Sequence, residues 1–462
     1  MQNILLLIAS YIFYSWVSWK ILPLLIISTI VFYILGIAVF KTKTERKKRL
    51  LYSLGIVFGV GVLLYFKYFN FFISSVKELL ETIGLQTNLH TIKIIIPIGI
   101  SFYTFRLLSY IIDIYQEEIE PTYNFIDFAT YIAFFPCILA GPIDRPATLI
   151  PQLQNKRVFS YLGVVDGLRQ ILWGLFKKAV IADNLVGYVN QVFDGDIHLQ
   201  TGSTLLFAAM LALIQLYADF SGYSDMATGI AKVLGFNITK NFDYPLFSQN
   251  VAEFWRRWHL SFTTWLTDYI FMPLNFIWRK WGKWGMILAI TVNFVICGLW
   301  HGDRWTFILW GAYNGLLFIP LILSGAMYKP NIIETYYWGI PKPKVIVKMF
   351  QTFILMTLGM VFFRSESLSF AVDYFSKIFS VSILSIPKID IFSNASIRPA
   401  AMFGLIFFFI LMEWAGRNQQ YAIERLGFNL RRPLRWSIYA LIIFLLGIYM
   451  KTSETPFVYF QF

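Results

Sequence analysis

The sequence predicts an all-α protein that crosses a membrane many times, and three observations lead to this fold class. Hydrophobic residues make up 57% of the 462 positions and charged residues only 14%, which is too apolar for a water-soluble domain. Several apolar runs are long enough to cross the roughly 30 Å of hydrocarbon in a bilayer. Other apolar runs are interrupted by Gly, Pro and charged residues, which indicates re-entrant or tilted helices. We therefore expect about ten to thirteen membrane and re-entrant helices in a single membrane domain, residues 1–462.

The chain begins with two predicted spans and a basic loop. Residues 3–16 lack the basic leader and the small-residue cleavage site of a signal peptide, so we expect a retained span. A second span at 21–40 leads into KTKTERKKRL at 41–50. Basic loops between spans are typical of the cytoplasmic side, so the net charge of +13 indicates orientation rather than nucleic-acid binding. A phosphate-binding face for a nucleotide-bearing donor is the alternative role of this block.

Polar residues concentrate in the middle of the chain, in a predicted core at about 139–320. The run LAGPIDRPATLIPQL at 139–153 contains Gly-Pro and Arg-Pro steps, which exclude a straight helix. Residues 167–185 have apolar positions at helical spacing and include the pair Lys177 and Lys178. This pattern favours a helix that lies in the plane of the membrane interface.

Two further central segments carry charges that are costly inside a bilayer. Asp219 and Asp225 lie in YADFSGYSDMATG, and Arg256 and Arg257 lie in FWRRWHLSF. Acidic residues in a span usually face a polar interior. The sequence leaves two alternatives open, in which the acids either pair with these arginines or line a cavity.

The C-terminal part returns to plain spans at 345–363, 401–414 and 434–450. An arginine-rich stretch precedes the last of them and favours a cytoplasmic start, so the final span is expected to deliver the end of the chain to the outer face. The two cysteines, Cys137 and Cys297, lie in apolar stretches. We expect both to be buried, inert thiols.

Two of the three histidines in the polar core, His259 and His301, lie in its charged and aromatic segments, where they are either satisfied structural groups or working ones. His301 ends the apolar run NFVICGLWH, and His259 follows FWRRW. On a continuous helix, Trp255 and His259 would share a face. A neutral imidazole is a natural general base near pH 7. Because the sequence contains neither HExxH nor GxSxG, base-catalysed transfer to a substrate hydroxyl is favoured over hydrolysis.

Several sequence blocks resemble the membrane-bound O-acyltransferase family. They occur in the family's order across residues 3–462 and include FWRRWHLSF, GLWHGDRWTFILWGAYNGL, AGPIDRPATLIPQL, FSGYSDMATGI, IPIGISFYTF, GLFKKAVIADN and PFVYFQF. The chain is most similar to the bacterial branch typified by the membrane subunit of alginate O-acetylation. The resemblance implies a helical fold around a central tunnel in the bacterial inner membrane. It also implies that His301 is the family's near-invariant histidine and that His259 is its second polar position.

The resemblance further implies a reaction and its participants. An acyl thioester, usually acetyl-CoA, would enter from the cytoplasm, and the acyl group would leave on a hydroxyl presented from outside. The implied partners are an esterase-like acetyltransferase beyond the membrane and a polysaccharide acceptor, with no bound cofactor and no metal. Transfer of D-alanyl or another acyl group to a cell-wall polymer, and transport of polysaccharide or lipid without chemistry, are the alternatives.

Polar and aromatic side chains are predicted to surround the two histidines, because charged groups are tolerated beside a polar site and costly in lipid. His301 is the predicted general base, and His259 is predicted to orient the donor thioester or to stabilise its oxyanion. The predicted tunnel-lining or supporting residues are Asp219, Tyr223, Asp225, Arg256, Trp258, Asn293 and Trp300.

Overall fold

The computed structural model confirms the all-α fold, since no β-strand occurs in the residues that it describes. It describes residues 1–85, 91, 94, 96–329, 331–337, 339–388, 397–425, 431–451 and 457. The α-helices, in chain order, are α1 (Gln2–Val17), α2 (Leu22–Lys41), α3 (Glu45–Leu63), α4 (Phe69–Thr82), α5 (Ile100–Tyr115), α6 (Phe125–Ala133), α7 (Phe135–Ile138), α8 (Pro146–Gln154), α9 (Tyr161–Leu175), α10 (Asp183–Phe193), α11 (Gly202–Val233), α12 (Val251–Trp255), α13 (Leu260–Leu266), α14 (Met272–Ile277), α15 (Lys283–His301), α16 (Trp305–Leu316), α17 (Ile319–Leu323), α18 (Pro343–Arg364), α19 (Leu368–Ile378), α20 (Pro399–Ala415) and α21 (Arg432–Tyr449).

The described residues include seven helical stretches that are long and apolar enough to cross a membrane. They are Trp19–Lys41, Glu45–Thr82, Gly202–Val233, Lys283–His301, Trp305–Leu323, Pro343–Arg364 and Arg432–Tyr449. In the most apolar 18-residue stretch of α11, 83% of the stretch is buried inside the protein, whereas only 11% of the corresponding stretch of α21 is buried. The protein is therefore a multi-pass membrane protein in which α11 is an interior helix and α21 presents most of its apolar surface outward.

Shorter helices separate these stretches, as the interrupted sequence pattern predicts. Three π-helical segments also occur in the described ranges, at Leu64–Tyr68, Phe176–Ala182 and Thr267–Phe271. A π turn shifts the direction of later side chains relative to a continuous α-helix, because it carries an extra residue. By Cα proximity the chain divides into two compact units, which are Met1–Gly167 with Ile230–Thr239, and Leu168–Gly229 with Lys240–Phe462.

In the first unit the run at 139–153 is broken, as its Gly-Pro and Arg-Pro steps predict. Helix α7 ends at Ile138 and α8 begins at Pro146. The buried guanidinium of Arg106 donates hydrogen bonds to the backbone carbonyls of Tyr131 and Pro142, at 3.1 and 3.0 Å. The buried carboxylate of Asp144 accepts from the backbone N–H and the hydroxyl of Thr239. These side chains satisfy backbone groups that a continuous helix would otherwise satisfy.

In the second unit the segment at 168–193 crosses α11 at very short range. Glycines stand at the crossing on both sides, and a Cβ on Gly174 would lie 2.6 Å from the carbonyl oxygen of Gly222. Small residues allow two helix backbones to approach this closely inside a membrane.

The two cysteines, Cys137 in the first unit and Cys297 in the second, are both buried, as predicted.

Ion pairs flank this crossing, and they bear on two predictions. Lys177 pairs with Asp225 at 2.5 Å, and Lys178 pairs with Asp219 at 2.7 Å and with Asp183 at 2.8 Å. The lysines do not form the headgroup-facing side that an interfacial helix would present, because they face carboxylates on α10 and α11. The orientation of the helix in the membrane interface stays a prediction. Pairing of the acids with the two arginines at 256 and 257 is wrong. A lysine beside each acid removes the cost of an isolated buried charge.

Candidate active site around two histidines

His301 is the last residue of α15, at the turn of a close helical hairpin. A Cβ on Gly298 would lie 2.1 Å from the carbonyl oxygen of Phe307, and a Cβ on Gly311 would lie 2.2 Å from that of Phe294. The glycines therefore allow α15 and α16 to pack backbone against backbone. As a result, the helix end that carries His301 is held in a rigid part of the second unit.

The imidazole of His301 is enclosed by aromatic rings. Its centroid lies 4.8 Å from the ring of Trp300, 5.0 Å from that of Trp310 and 5.0 Å from that of Phe363. The residue is only 6% exposed. A histidine in such surroundings is shielded from bulk water, which strengthens any electrostatic interaction that it makes with a substrate.

His259 lies in the turn between α12 and α13, and its backbone adopts the left-handed region with φ 47° and ψ 52°. The backbone N–H of Leu260 donates to the carbonyl of Asn241 at 2.8 Å. The side-chain oxygen of Asn241 accepts from the hydroxyl of Ser261 at 2.7 Å. These bonds hold the turn that aims the His259 ring. The predicted continuous helix from Trp255 through His259 is wrong, because α12 ends at Trp255.

One tryptophan contacts both histidines. The Trp300 ring lies 5.8 Å from the His259 ring and 4.8 Å from the His301 ring. His259 also contacts Phe220 at 4.5 Å and Phe262 at 5.0 Å. Two histidines that are 42 positions apart in sequence thus contact the same indole, in a dense aromatic cluster.

The charge state of His259 follows from its surroundings. The residue is 2% exposed and lies outside the seven candidate spans. Burial lowers the pKa of its imidazole to about 3, because desolvation disfavours the charged form. His259 is therefore neutral at physiological pH, and a neutral imidazole carries one N–H donor and one acceptor nitrogen.

A narrow cavity of about 30 Å³ opens beside His301. Apart from His301, its lining consists of three tryptophans, two phenylalanines, two leucines, two methionines and Asn314. Trp258 is one of these tryptophans, and it packs against Phe242 and Phe254 at 5.1 and 5.3 Å. The cavity has room for about two water-sized groups.

The other predicted site residues occupy different surroundings. Asp219 precedes Phe220, whose ring contacts His259, but its carboxylate pairs with Lys178. Asp225 pairs with Lys177. Tyr223 stacks near Phe457 at 5.1 Å.

Arg256 and Asn293 also have their own environments. Arg256 is exposed, and its guanidinium donates to the carbonyl of Met327 at 3.1 Å. Asn293 is buried on α15, two turns before His301.

Sequence reasoning missed several residues of this region. Lys177 and Lys178 were visible as a pair, but helical periodicity placed them on a surface. Phe363, Met356 and Met360 reach the His301 cavity from α18, whose polar residues, such as Thr357 and Arg364, do not single out these positions. Apolar residues on several faces of one helix do not indicate which face lines a site.

The chain is similar to several known membrane proteins. Residues 11–363 match the model of the MBOAT family, described as the membrane-bound O-acyltransferase family. The chain is 34% identical to a probable alginate O-acetylase, AlgI, of Pseudomonas aeruginosa over 91% of this chain and 77% of that protein. It is 31% identical to a peptidoglycan O-acetyltransferase of Helicobacter pylori over 79% of this chain and 71% of that protein. Over 48% of this chain and 57% of the relative, it is 29% identical to a teichoic acid D-alanyltransferase of Bacillus subtilis.

Proposed function

Because the chain belongs to the membrane-bound O-acyltransferase family, we propose that it moves an acetyl group from a cytoplasmic thioester to a hydroxyl on the outer side of the cell membrane. The product would be an O-acetylated, exported or cell-surface polysaccharide. The observation that supports this proposal most directly is the pair of buried histidines, His259 and His301, whose rings both contact the ring of Trp300. The names of the alginate and peptidoglycan relatives support a polymer with free hydroxyls.

In the proposed reaction His301 is the general base. Its imidazole accepts the proton of the acceptor hydroxyl while the hydroxyl oxygen attacks the thioester carbonyl. The C–S bond then breaks, the new ester C–O bond remains, and the proton passes from the imidazolium to the departing thiolate. No net proton is consumed, so a single base in a dry site suffices for the exchange.

His259 has a second role in this proposal. Its depressed pKa keeps the ring neutral, so one nitrogen carries a hydrogen that can be donated to the thioester oxygen. A donor placed where negative charge develops is typically worth about 10² to 10³ in rate. The left-handed backbone turn, anchored on Asn241, supplies the fixed orientation that such a donor needs.

The proposal includes a partner and a location. We place the chain in the bacterial inner membrane with the thioester donor, acetyl-CoA, on the cytoplasmic side. On the outer side, an esterase-like acetyltransferase would carry the acetyl group onward to the polymer. The basic block at 41–50, whose side chains are mostly exposed, supports a cytoplasmic loop there.

A first experiment tests the general base. Membranes from cells that naturally make the chain, which therefore retain its outer acetyltransferase partner, are incubated with radiolabelled acetyl-CoA and either an alginate oligosaccharide or a peptidoglycan fragment, and label in the acceptor is counted. His301→Ala should lower the transfer rate by about 10² to 10⁴, the typical effect of a lost general base. The matched control is His198→Ala, since His198 is exposed and should be dispensable.

Two outcomes would contradict the proposal. One is near-parent transfer by membrane-inserted His301→Ala protein, which would favour transport without chemistry. The other is labelled acceptor from a D-alanyl thioester but none from acetyl-CoA, which would favour the D-alanyltransferase alternative that the Bacillus subtilis relative suggests.

A further inference from the structure

We propose that the cavity beside His301 selects the acyl group, and that Met356 and Met360 on α18 are the residues that limit its length. The inference rests on the proposed acyl transfer and deepens it by naming the substrate class. The acyl group admitted is small and uncharged, as acetyl is, while longer and cationic acyl groups are excluded.

The size of the cavity supports the first half of this inference. Its volume of about 30 Å³ accommodates about two water-sized groups. An acetyl group adds only a methyl to the reacting carbonyl, so it fits this space. A propionyl group adds a further carbon, which would have to displace a wall that is packed at the density of a protein interior.

The lining supports the second half. Among the described residues that line the cavity, none has an acidic side chain. The side-chain N–H₂ of Asn314, one of its few polar groups, donates to the carbonyl of Trp310 at 2.8 Å. The ammonium of a D-alanyl group would therefore lose its hydration without gaining a carboxylate partner, which is strongly unfavourable. An uncharged methyl instead gains contact with apolar walls.

Two methionines form the part of the cavity wall that a substitution can most readily shorten. Met356 and Met360 are one turn apart on α18, both are buried, and both line the cavity. The other lining residues on the aromatic side are braced by one another, since Phe363 contacts Trp310 at 5.4 Å. Methionine is unbranched and leaves room when it is shortened, so truncation here should lengthen the space beside His301.

The same helix offers a matched control. Met349 lies two turns before Met356 and is also buried, but it lines a separate apolar groove with Phe247 and Trp414. Shortening Met349 should therefore disturb α18 to a similar degree without enlarging the His301 cavity. Any effect that is specific to the cavity should appear at Met356 and Met360 and be absent at Met349.

The experiment measures a ratio within one reaction. Membranes from cells that naturally make the chain, with the outer acetyltransferase partner retained, receive equal amounts of acetyl-CoA and propionyl-CoA and the same acceptor, and the two transferred acyl groups are released by mild base and quantified. The parent should prefer acetyl by about 10- to 200-fold, the range for one extra methylene in a tight pocket. Met360→Ala and Met356→Ala should each reduce this preference at least about tenfold, while Met349→Ala should keep the parent ratio.

Because the ratio comes from one preparation, it does not depend on how much of a variant is folded. Met360→Leu retains much of the side-chain volume and should stay near the parent ratio, which separates size from a general loss of packing. An unchanged ratio in both alanine variants would overturn the inference, as would efficient use of D-alanyl-CoA by the parent. Failure of the parent to transfer any acyl group would instead overturn the proposed function, so the two failures are distinguishable.

Discussion

At the scale of single residues, His259 is the most constrained member of the site. A residue with a Cβ costs roughly 1–2 kcal/mol in the left-handed backbone region, where His259 lies with φ 47°. The surrounding turn maintains this conformation, because Asn241 and Ser261 hold the adjacent backbone and side chains. Strain of this kind tends to persist where a side chain must point in one direction.

The buried, neutral ring of His259 predicts a pH dependence of stability. Burial lowers the pKa of this imidazole to about 3, whereas an unfolded chain has a histidine pKa of about 6.5. Between these values the unfolded state binds a proton that the folded state does not, so the free energy of unfolding falls as the pH falls. Between pH 6.5 and 5.5 the expected loss from this residue is about 1 kcal/mol.

Thermal unfolding in detergent, followed across this pH range, measures the effect. His259→Gln is the informative variant, because glutamine keeps hydrogen-bonding capacity and does not titrate. Its unfolding temperature should depend less steeply on pH than that of the parent. Identical pH slopes for the two proteins would show that the His259 pKa is not depressed in the folded state.

Sequence reasoning predicted the two histidines as the centre of the candidate site, and it could not predict how they meet. His301 stood out because an imidazole ends an otherwise apolar run. The orientation of His259 was hidden because a helical repeat assumes regular backbone angles, and this residue lies outside them. Trp300 was predicted as a supporting residue, but only the fold places its ring against both histidines.

At the scale of elements, the crossing of Gly174 and Gly222 predicts an unusual response to alanine. In an ordinary helix, replacing glycine by alanine stabilises by up to about 1 kcal/mol. At Gly222 the added Cβ would lie 2.8 Å from the carbonyl oxygen of Gly174. Because this neighbour is backbone, the helices must separate, and Gly222→Ala should destabilise by about 1–3 kcal/mol.

Gly187 on α10 provides the control, because a Cβ there would meet nothing within 4 Å. Gly187→Ala should therefore be neutral or stabilising in the same thermal unfolding assay. If Gly222→Ala unfolded at or above the parent temperature, the close crossing would not contribute to stability.

The π turn at Phe176–Ala182 explains why the direction of its two lysines was misjudged from sequence. Helical periodicity counts 3.6 residues per turn, and a π turn inserts an extra residue that changes the face of every later side chain. The apolar positions of the segment were recognised correctly as helical. The direction of Lys177 and Lys178 was not, since two of their carboxylate partners, Asp225 and Asp219, lie on α11, more than 40 positions further along the chain.

At the scale of the whole molecule, the distribution of charge predicts orientation. The loop at 41–50 is basic and mostly exposed, and basic loops remain in the cytoplasm. A cysteine placed in it by Lys47→Cys should therefore react with a membrane-impermeant maleimide only after the cells are permeabilised. Labelling in intact cells would show instead that this loop lies on the outer side, and the inferred side of donor entry would then be wrong as well.

Background labelling in this experiment should be low. The only natural cysteines, Cys137 and Cys297, are 0% and 2% exposed, so the parent chain should react little. The parent protein, treated identically, is the control for signal that does not come from position 47.

The fold class itself could be predicted from composition, because a bilayer accepts few backbone arrangements other than helices. The proline steps in 139–153 also predicted an interruption that the structure contains between α7 and α8. The sequence could not predict which side chain stabilises that interruption, since Arg106, which donates hydrogen bonds to the backbone there, lies on a different helix. Long-range side-chain partners leave no periodic trace in a single sequence.

The hairpin of α15 and α16 also bears on the order in which the protein is made. Its glycine contacts join residues close in sequence, so the hairpin can form as soon as both helices have left the ribosome. The cavity beside His301 also needs Met356, Met360 and Phe363, which are synthesised later on α18. During synthesis, His301 is therefore in place before the α18 residues that form part of the cavity wall. The proposed selectivity for the acyl group can arise only after α18 has packed against the hairpin.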